Sequence, residues 1–175
     1  SIMSELRTNR IVPRDGLPSG SSGGVIQVKS ATKTDGDFNT SSSSFVDVTG
    51  LSVSITPTRS DSKILIFATV HGIGNQDTQA YFRFMRDSTP ICIGDASGSR
   101  VQATLGSMYY DQTNDTNSCS QNFLDSPSTT SAVTYKIQAR TQGAGTLYVN
   151  RSSGDDNSAN SGRFTSTITV MEVSG

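Results

Sequence analysis

GLSVSITPTRSDSKILIFATV, residues 50–70, is the stretch on which the reading of the fold turns. Leu51, Val53 and Ile55 alternate with Ser52, Ser54 and Thr56, the two-residue period of a strand that buries one face. Pro57, which has no N–H to give to a ladder, ends that strand, and residues 58–61 make a polar turn. From Lys63 the chain resumes as its most apolar run, with strand-favouring residues at Ile64, Ile66, Phe67, Thr69 and Val70. Apolar side chains fall on both faces of this second strand. It must therefore be covered twice, either in the middle of a sandwich or by another subunit.

Outward from this pair, short apolar groups recur between polar turns. Val25, Ile26 and Val28 form one strand, residues 34–44 a polar excursion, and Phe45, Val46 and Val48 another strand. After a glycine turn at residues 72–78, residues 81–85 are aromatic on both faces. Residues 91–93 and 101–108 read as strands, and residues 109–131 as a long irregular region. Val133, Tyr135, Ile137 and Ala139 alternate strictly with polar residues, the clearest half-buried strand in the chain. Leu147 and Val149 follow a glycine-containing turn and are expected as its hairpin partner. Residues 164–173 close the chain, with Ile168 and Val170 on the inner face. About ten strands, no helical period and turns every eight to twelve residues predict an all-β fold. The expected form is a jelly-roll-like antiparallel β-sandwich over residues 25–175, since no fixed repeat marks a propeller or solenoid. Two explanations of the two-faced strands stay open. Either both lie centrally, or Leu65, Phe67, Phe82 and Phe84 form a subunit interface such as that of a homotrimer.

Residues 1–24 differ from all that follows. Leu6, Ile11 and Val12 stand among charged residues, and a run of Pro, Gly and Ser comes next, a linker composition. So few apolar residues cannot fold alone, which predicts an extended attachment arm that orders against another chain or a larger particle. A net charge of -1 offers no basic stripe for nucleic acid. No apolar run is long enough to span a membrane, and no signal-peptide core opens the chain, so neither membrane insertion nor secretion is expected. Cys92 and Cys119 are too few for a disulfide framework or a zinc site and read as two free thiols.

The search for chemistry is short, and no cofactor and no enzymatic activity are expected. His71 is the one histidine; it ends a strand, and no serine near it sits in a Gly-x-Ser-x-Gly elbow. The 15 Asp and Glu residues lie mostly in loops, which suits solvated turns rather than a placed carboxylate pair. Asp155, Asp156 and Asn157 offer oxygen ligands without the spacing of a calcium loop. Tyr109, Tyr110, Asp111, Asn114, Asp115 and Asn117 combine two rings with amides and carboxylates, the mixture that stacks on and hydrogen-bonds a sugar. These six are the candidate contacts to a host-surface glycan; the alternative is that the tyrosines pack beneath their loop. Triplets at Asn39, Asn114 and Asn150 match the N-glycosylation pattern, as chance allows in a chain rich in Asn, Ser and Thr.

Residues 44–57, SFVDVTGLSVSITP, followed by SKILI at residues 62–66 and preceded by VIQVK at residues 25–29, resemble a module of bacteriophage tail-fibre and other virion structural proteins, marine and cyanobacterial phages in particular. Leu6-Arg7-Thr8-Asn9-Arg10-Ile11 resembles the short segment that often precedes it. The resemblance covers about a third of the chain. It implies a non-enzymatic virion protein, assembled in the host cytoplasm, trimeric, attached to other virion proteins by its N-terminal arm and turning a β-rich domain to the host. No extended repetitive shaft accompanies the module. A short tail spike or fibre tip therefore stands beside a capsid decoration protein, and a carbohydrate-binding module of a bacterial enzyme is the alternative from another class.

Overall fold

The computed structural model describes residues 24–75, 78–107, 116–143 and 145–174. Through them run β1 (Val25–Lys33), β2 (Asn39–Thr40), β3 (Val46–Ile55), β4 (Lys63–Gly74), β5 (Ala80–Arg86), β6 (Thr89–Ile91), β7 (Leu105–Ser107), β8 (Ser118–Asp125), β9 (Val133–Thr141), β10 (Leu147–Val149) and β11 (Ser166–Val173). All pair antiparallel, in two sheets. One sheet has the order β1-β11-β4-β10-β2 with β8 also on β4; the other has the order β3-β9-β5-β6 with β7 also on β5. The two sheets face each other across one core, a jelly-roll-like antiparallel β-sandwich as expected.

The alternation read in residues 50–70 decides which atoms fill that core. Ile64, Ile66, Ala68 and Val70 of β4 point inward beside Ile168 and Val170 of β11. Leu51, Val53 and Ile55 of β3 and Val133, Tyr135, Ile137 and Ala139 of β9 meet them from the other sheet. Each of the Val, Leu and Ile side chains among them contributes roughly 1.5–3 kcal/mol by leaving water. The apolar groups at residues 45–48 and 51–55 turn out to be one strand. β3 carries an irregularity between Asp47 and Ser52, where Gly50 takes a φ of 90°, a conformation that side chains disfavour.

Three expectations are corrected. Phe82 and Phe84 do not face outward: β5 sets them opposite Ala139 and Ile137 of β9, and both are buried between the sheets. The outward residues of β5 are Tyr81, Arg83 and Met85, so a sequence that reads as aromatic on both sides is one core row and one mixed row in which Met85 is covered. β10 is not the hairpin partner of β9. It crosses to the other sheet and pairs Gly72, Ile73 and Gly74 at the end of β4, where inward-pointing Leu147 and Val149 complete the core. Gly145 makes that departure possible, with a φ of 110° and a Thr78 oxygen only 2.1 Å from where a Cβ would stand. Finally, the irregular region contains β8, which pairs β4 from Ile64 to His71. The expected arm, with Leu6, Ile11 and Val12, lies outside the described residues.

Two buried carboxylates fasten the sandwich. Asp125 at the end of β8 receives Arg86 Nη1 at 2.9 and 3.0 Å and the Tyr135 hydroxyl at 2.7 Å, tying one sheet to the other. Burial, and then the bond to Asp125, push the Tyr135 phenol upward. Glu172, fully buried on β11, accepts the Thr58 N–H and hydroxyl, both at 2.7 Å, and the Gln27 amide at 2.6 Å. Burial alone would raise its carboxyl, but the hydrogen bonds from Gln27 and Thr58 outweigh it and hold the group below its ordinary 4.5.

Candidate functional site

Pairing directly opposite places side chains on one face, so the registers of β1, β11, β4 and β8 define rows across the outer surface of their sheet. The first row is Val28, Met171, Leu65 and Leu124, apolar across all four strands. The next is Ser30, Thr169, Phe67 and Asn122, and the third is Thr32, Thr167, Thr69 and Ser120. No charged side chain stands in any of them. Along the sheet the surface passes from aliphatic, through a single phenyl ring, to hydroxyl.

Water reaches the apolar end of this face. Val28 is 51% exposed, Leu124 52% and Phe67 42%, while Met171 and Leu65 are half-buried between them. Val25, also exposed, lies opposite Val173, in a row that passes on to Lys63 and so bounds the uncharged patch at the strand ends. Hydroxyls bond one another in the two polar rows: Ser30 and Thr169 at 2.9 Å beside Phe67, and Thr69 and Ser120 at 2.9 Å in the third row. Among the described residues nothing covers the apolar row.

Of the four residues named for the subunit-interface alternative, Leu65 and Phe67 stand on this outer face. Val28, Met171 and Leu124 belong with them but escape a sequence reading, because only strand register brings residues so far apart into one row. The proposed sugar-contacting loop is another matter. Tyr109, Tyr110, Asp111, Asn114 and Asp115 lie outside the described residues. Asn117 is described, and its atoms serve the fold: its carbonyl accepts the Gly72 N–H at 3.0 Å and its side-chain oxygen the Ser118 N–H at 2.9 Å.

The remaining reactive groups are engaged locally. His71 stacks on Phe164 with ring centres 5.2 Å apart, and its Nδ1 lies 2.8 Å from the Thr165 carbonyl, to which only a protonated nitrogen can donate. Cys92 and Cys119 are both free thiols, and burial pushes Cys119 up to about 11. Asp155 does not present open ligands to a cation, since its carboxylate faces Arg151 at 3.2 Å and Arg163. Asn150 is fully buried at a φ of 63°, donating its amide to the carbonyls of Lys33 and Asp35 and accepting the Ser166 hydroxyl at 2.6 Å. Its triplet is a structural anchor that a glycan could reach only by unfolding it.

No protein-family model and no curated protein matches this chain. Among solved structures it is similar to the Eiger TNF of S. frugiperda, with 12% identity over 84% of this chain and 93% of the other and a TM-score of 0.45.

Proposed function

We propose that this chain is a non-enzymatic structural protein of a bacteriophage virion, most simply a short trimeric tail spike or fibre tip, that assembles through the outer face of the β1-β11-β4-β8 sheet. The observation that carries the reading is the apolar row of Val28, Met171, Leu65 and Leu124 with Phe67 beside it. An exposed apolar row with no charge in it is what a self-association surface requires, because covering it releases water without stranding a charge. The number three and the particle come from the resemblance of residues 44–66 to virion modules. Residues 1–24 then serve as the arm that joins other virion proteins.

Light scattering on the purified protein tests the assembly. The reading expects three times 18.5 kDa. A monomer at micromolar concentration would contradict it. Deleting residues 1–24 is expected to leave that mass and the melting temperature nearly unchanged while abolishing incorporation into particles. A capsid decoration protein would share the surface and the arm, and is distinguished by where labelled protein lies on the particle.

A further inference from the structure

The opposite outer face, on the sheet of β3, β9 and β5, carries charge, and one part of that charge is unanswered. Phe45, just ahead of β3, has the Arg83 guanidinium over its ring at 4.1 Å from the centroid and that of Arg140 at 5.8 Å. Arg140 lies opposite Tyr81 on β5, and Arg83 lies opposite Gln138 on β9, so the two cations are diagonal neighbours on adjacent strands. Arg83 gives Nε and Nη2 to the Gln138 side-chain oxygen at 2.9 and 2.7 Å, and Arg140 gives Nε to a backbone carbonyl at 3.0 Å. Neither guanidinium has a carboxylate partner among the described residues.

The nearest acid is already committed. Asp47 accepts Lys136 Nζ at 2.7 Å and the Gln138 amide at 2.7 Å, and the Lys136 bond in particular holds its carboxyl low. Gln138 is thus fixed at both ends, and it presents Arg83 to solvent with Nη1 unused. Burial pulls Arg83 down, with no neighbouring anion to offset it. Two guanidinium groups set against one ring, with no carboxylate partner among the described residues, suit planar carboxylates. Arg83 also lines a groove of about 620 Å³ with Asp87, Ser88, Thr134, Lys136 and Gln138 over a nearly covered Met85; the groove supplies several hydrogen-bonding groups and a second cation, the latter paired with Asp47.

We propose that Arg83 and Arg140, set against Phe45, bind the carboxylates of a uronate-bearing polysaccharide whose sugar rings lie along the Met85–Gln138 groove. The groove's Ser88, Thr134 and Gln138 offer hydroxyl and amide groups to sugar hydroxyls, which favours this ligand over a nucleic acid, whose bases call for stacking rings that the groove's lining lacks.

The test is retention of the full-length protein on immobilised alginate, pectate and hyaluronate, with dextran as the neutral control and a single-stranded oligonucleotide as the polyanion control. Retention on at least one uronate polymer, none on dextran, and loss at about 0.5 M NaCl are expected. Arg83→Gln and Arg140→Gln should each weaken binding about tenfold, as loss of a charge-assisted hydrogen bond does, with the melting temperature checked for both. Arg140→Gln, which gives up only one internal bond, keeps the test valid if Arg83→Gln unfolds. Retention on none of the three polymers, equal retention on dextran, tighter retention on the oligonucleotide, or unweakened binding by a folded Arg140→Gln would each overturn the proposal. The light-scattering mass does not depend on this face, so either idea can fail without the other.

Discussion

The two outer faces of the sandwich are built from the same alternation and satisfied in opposite ways. On the β3-β9-β5 face, Asp47, Lys136, Gln138 and Arg83 form a continuous chain of hydrogen bonds, and Met85 is only 3% exposed beneath longer side chains. That surface keeps its apolar stems covered, and what it leaves open is charge, the guanidinium groups of Arg83 and Arg140. On the β1-β11-β4-β8 face, no charge stands in three successive rows, and Phe67 and Leu124 remain substantially open. Its polar rows each hold a bonded hydroxyl pair, and its apolar row lies open. The lesson is that exposure alone does not mark a docking surface. What marks it is apolar area that neighbouring side chains, given long stems elsewhere on the same molecule, have not been recruited to cover.

The comparison breaks first if inward and outward aromatics prove alike. Phe82→Ala should cost roughly 3–5 kcal/mol, because the ring is fully enclosed and a cavity remains, whereas Phe67→Ala should change the stability of the isolated fold by about 0.5 kcal/mol or less. Denaturant titration of both variants decides it, and equal losses would mean that the outer face belongs to the core.

Asp125→Ala comes next. It leaves Arg86 partly buried without its carboxylate and Tyr135 without its acceptor, and a loss of about 3 kcal/mol or more is expected by the same titration. A loss under about 1 kcal/mol would show that the charged pair does not join the sheets.

A smaller effect, about 1–3 kcal/mol, is expected for Glu172→Gln, since an amide nitrogen would replace one acceptor facing Thr58 or Gln27. This carboxyl titrates lower in the folded chain than in the unfolded one. Its contribution is therefore complete above the unfolded value near 4.5 and fades as pH falls through the folded value. Wild-type stability should drop on acidification below about pH 4.5, and Glu172→Gln should flatten that drop. Parallel pH profiles for the two proteins would contradict this reading of Glu172.

The parts of the fold legible in sequence are those where one face is apolar without interruption: the β4 run, the strict alternation of β9, and the inward Ile168 and Val170 of β11. β8 was not legible because it lies beside β4 with only Cys119 and Phe123 half-buried and Asp125 buried, so its residues SCSQNFLD show no apolar period. Residues 81–86 misled in the opposite direction. Tyr81, Phe82, Phe84 and Met85 look two-faced, and Tyr81 and Met85 do share the outer side, but with Arg83 between them and Met85 covered. Nor does a glycine turn say which sheet the chain will join next, and β10 follows Gly145 into the other one. The apolar row needs register as well as pattern: Leu65 and Phe67 could be named from their run, while Val28, Met171 and Leu124 become their neighbours only once β1, β11, β4 and β8 are paired. Phe45, Arg83 and Arg140 are hidden for the same reason.

One measurement bears most directly on the central claim, that assembly uses the apolar outer face. Light scattering should compare wild type with Leu124→Lys, which puts a charge at the open edge of the apolar row, and Ser54→Lys, which puts one on the opposite face. The account predicts the same multiple of 18.5 kDa for wild type and Ser54→Lys, and a single 18.5 kDa species for Leu124→Lys with an unchanged fold. A Leu124→Lys protein that stays assembled, or a Ser54→Lys protein that falls apart, would contradict it.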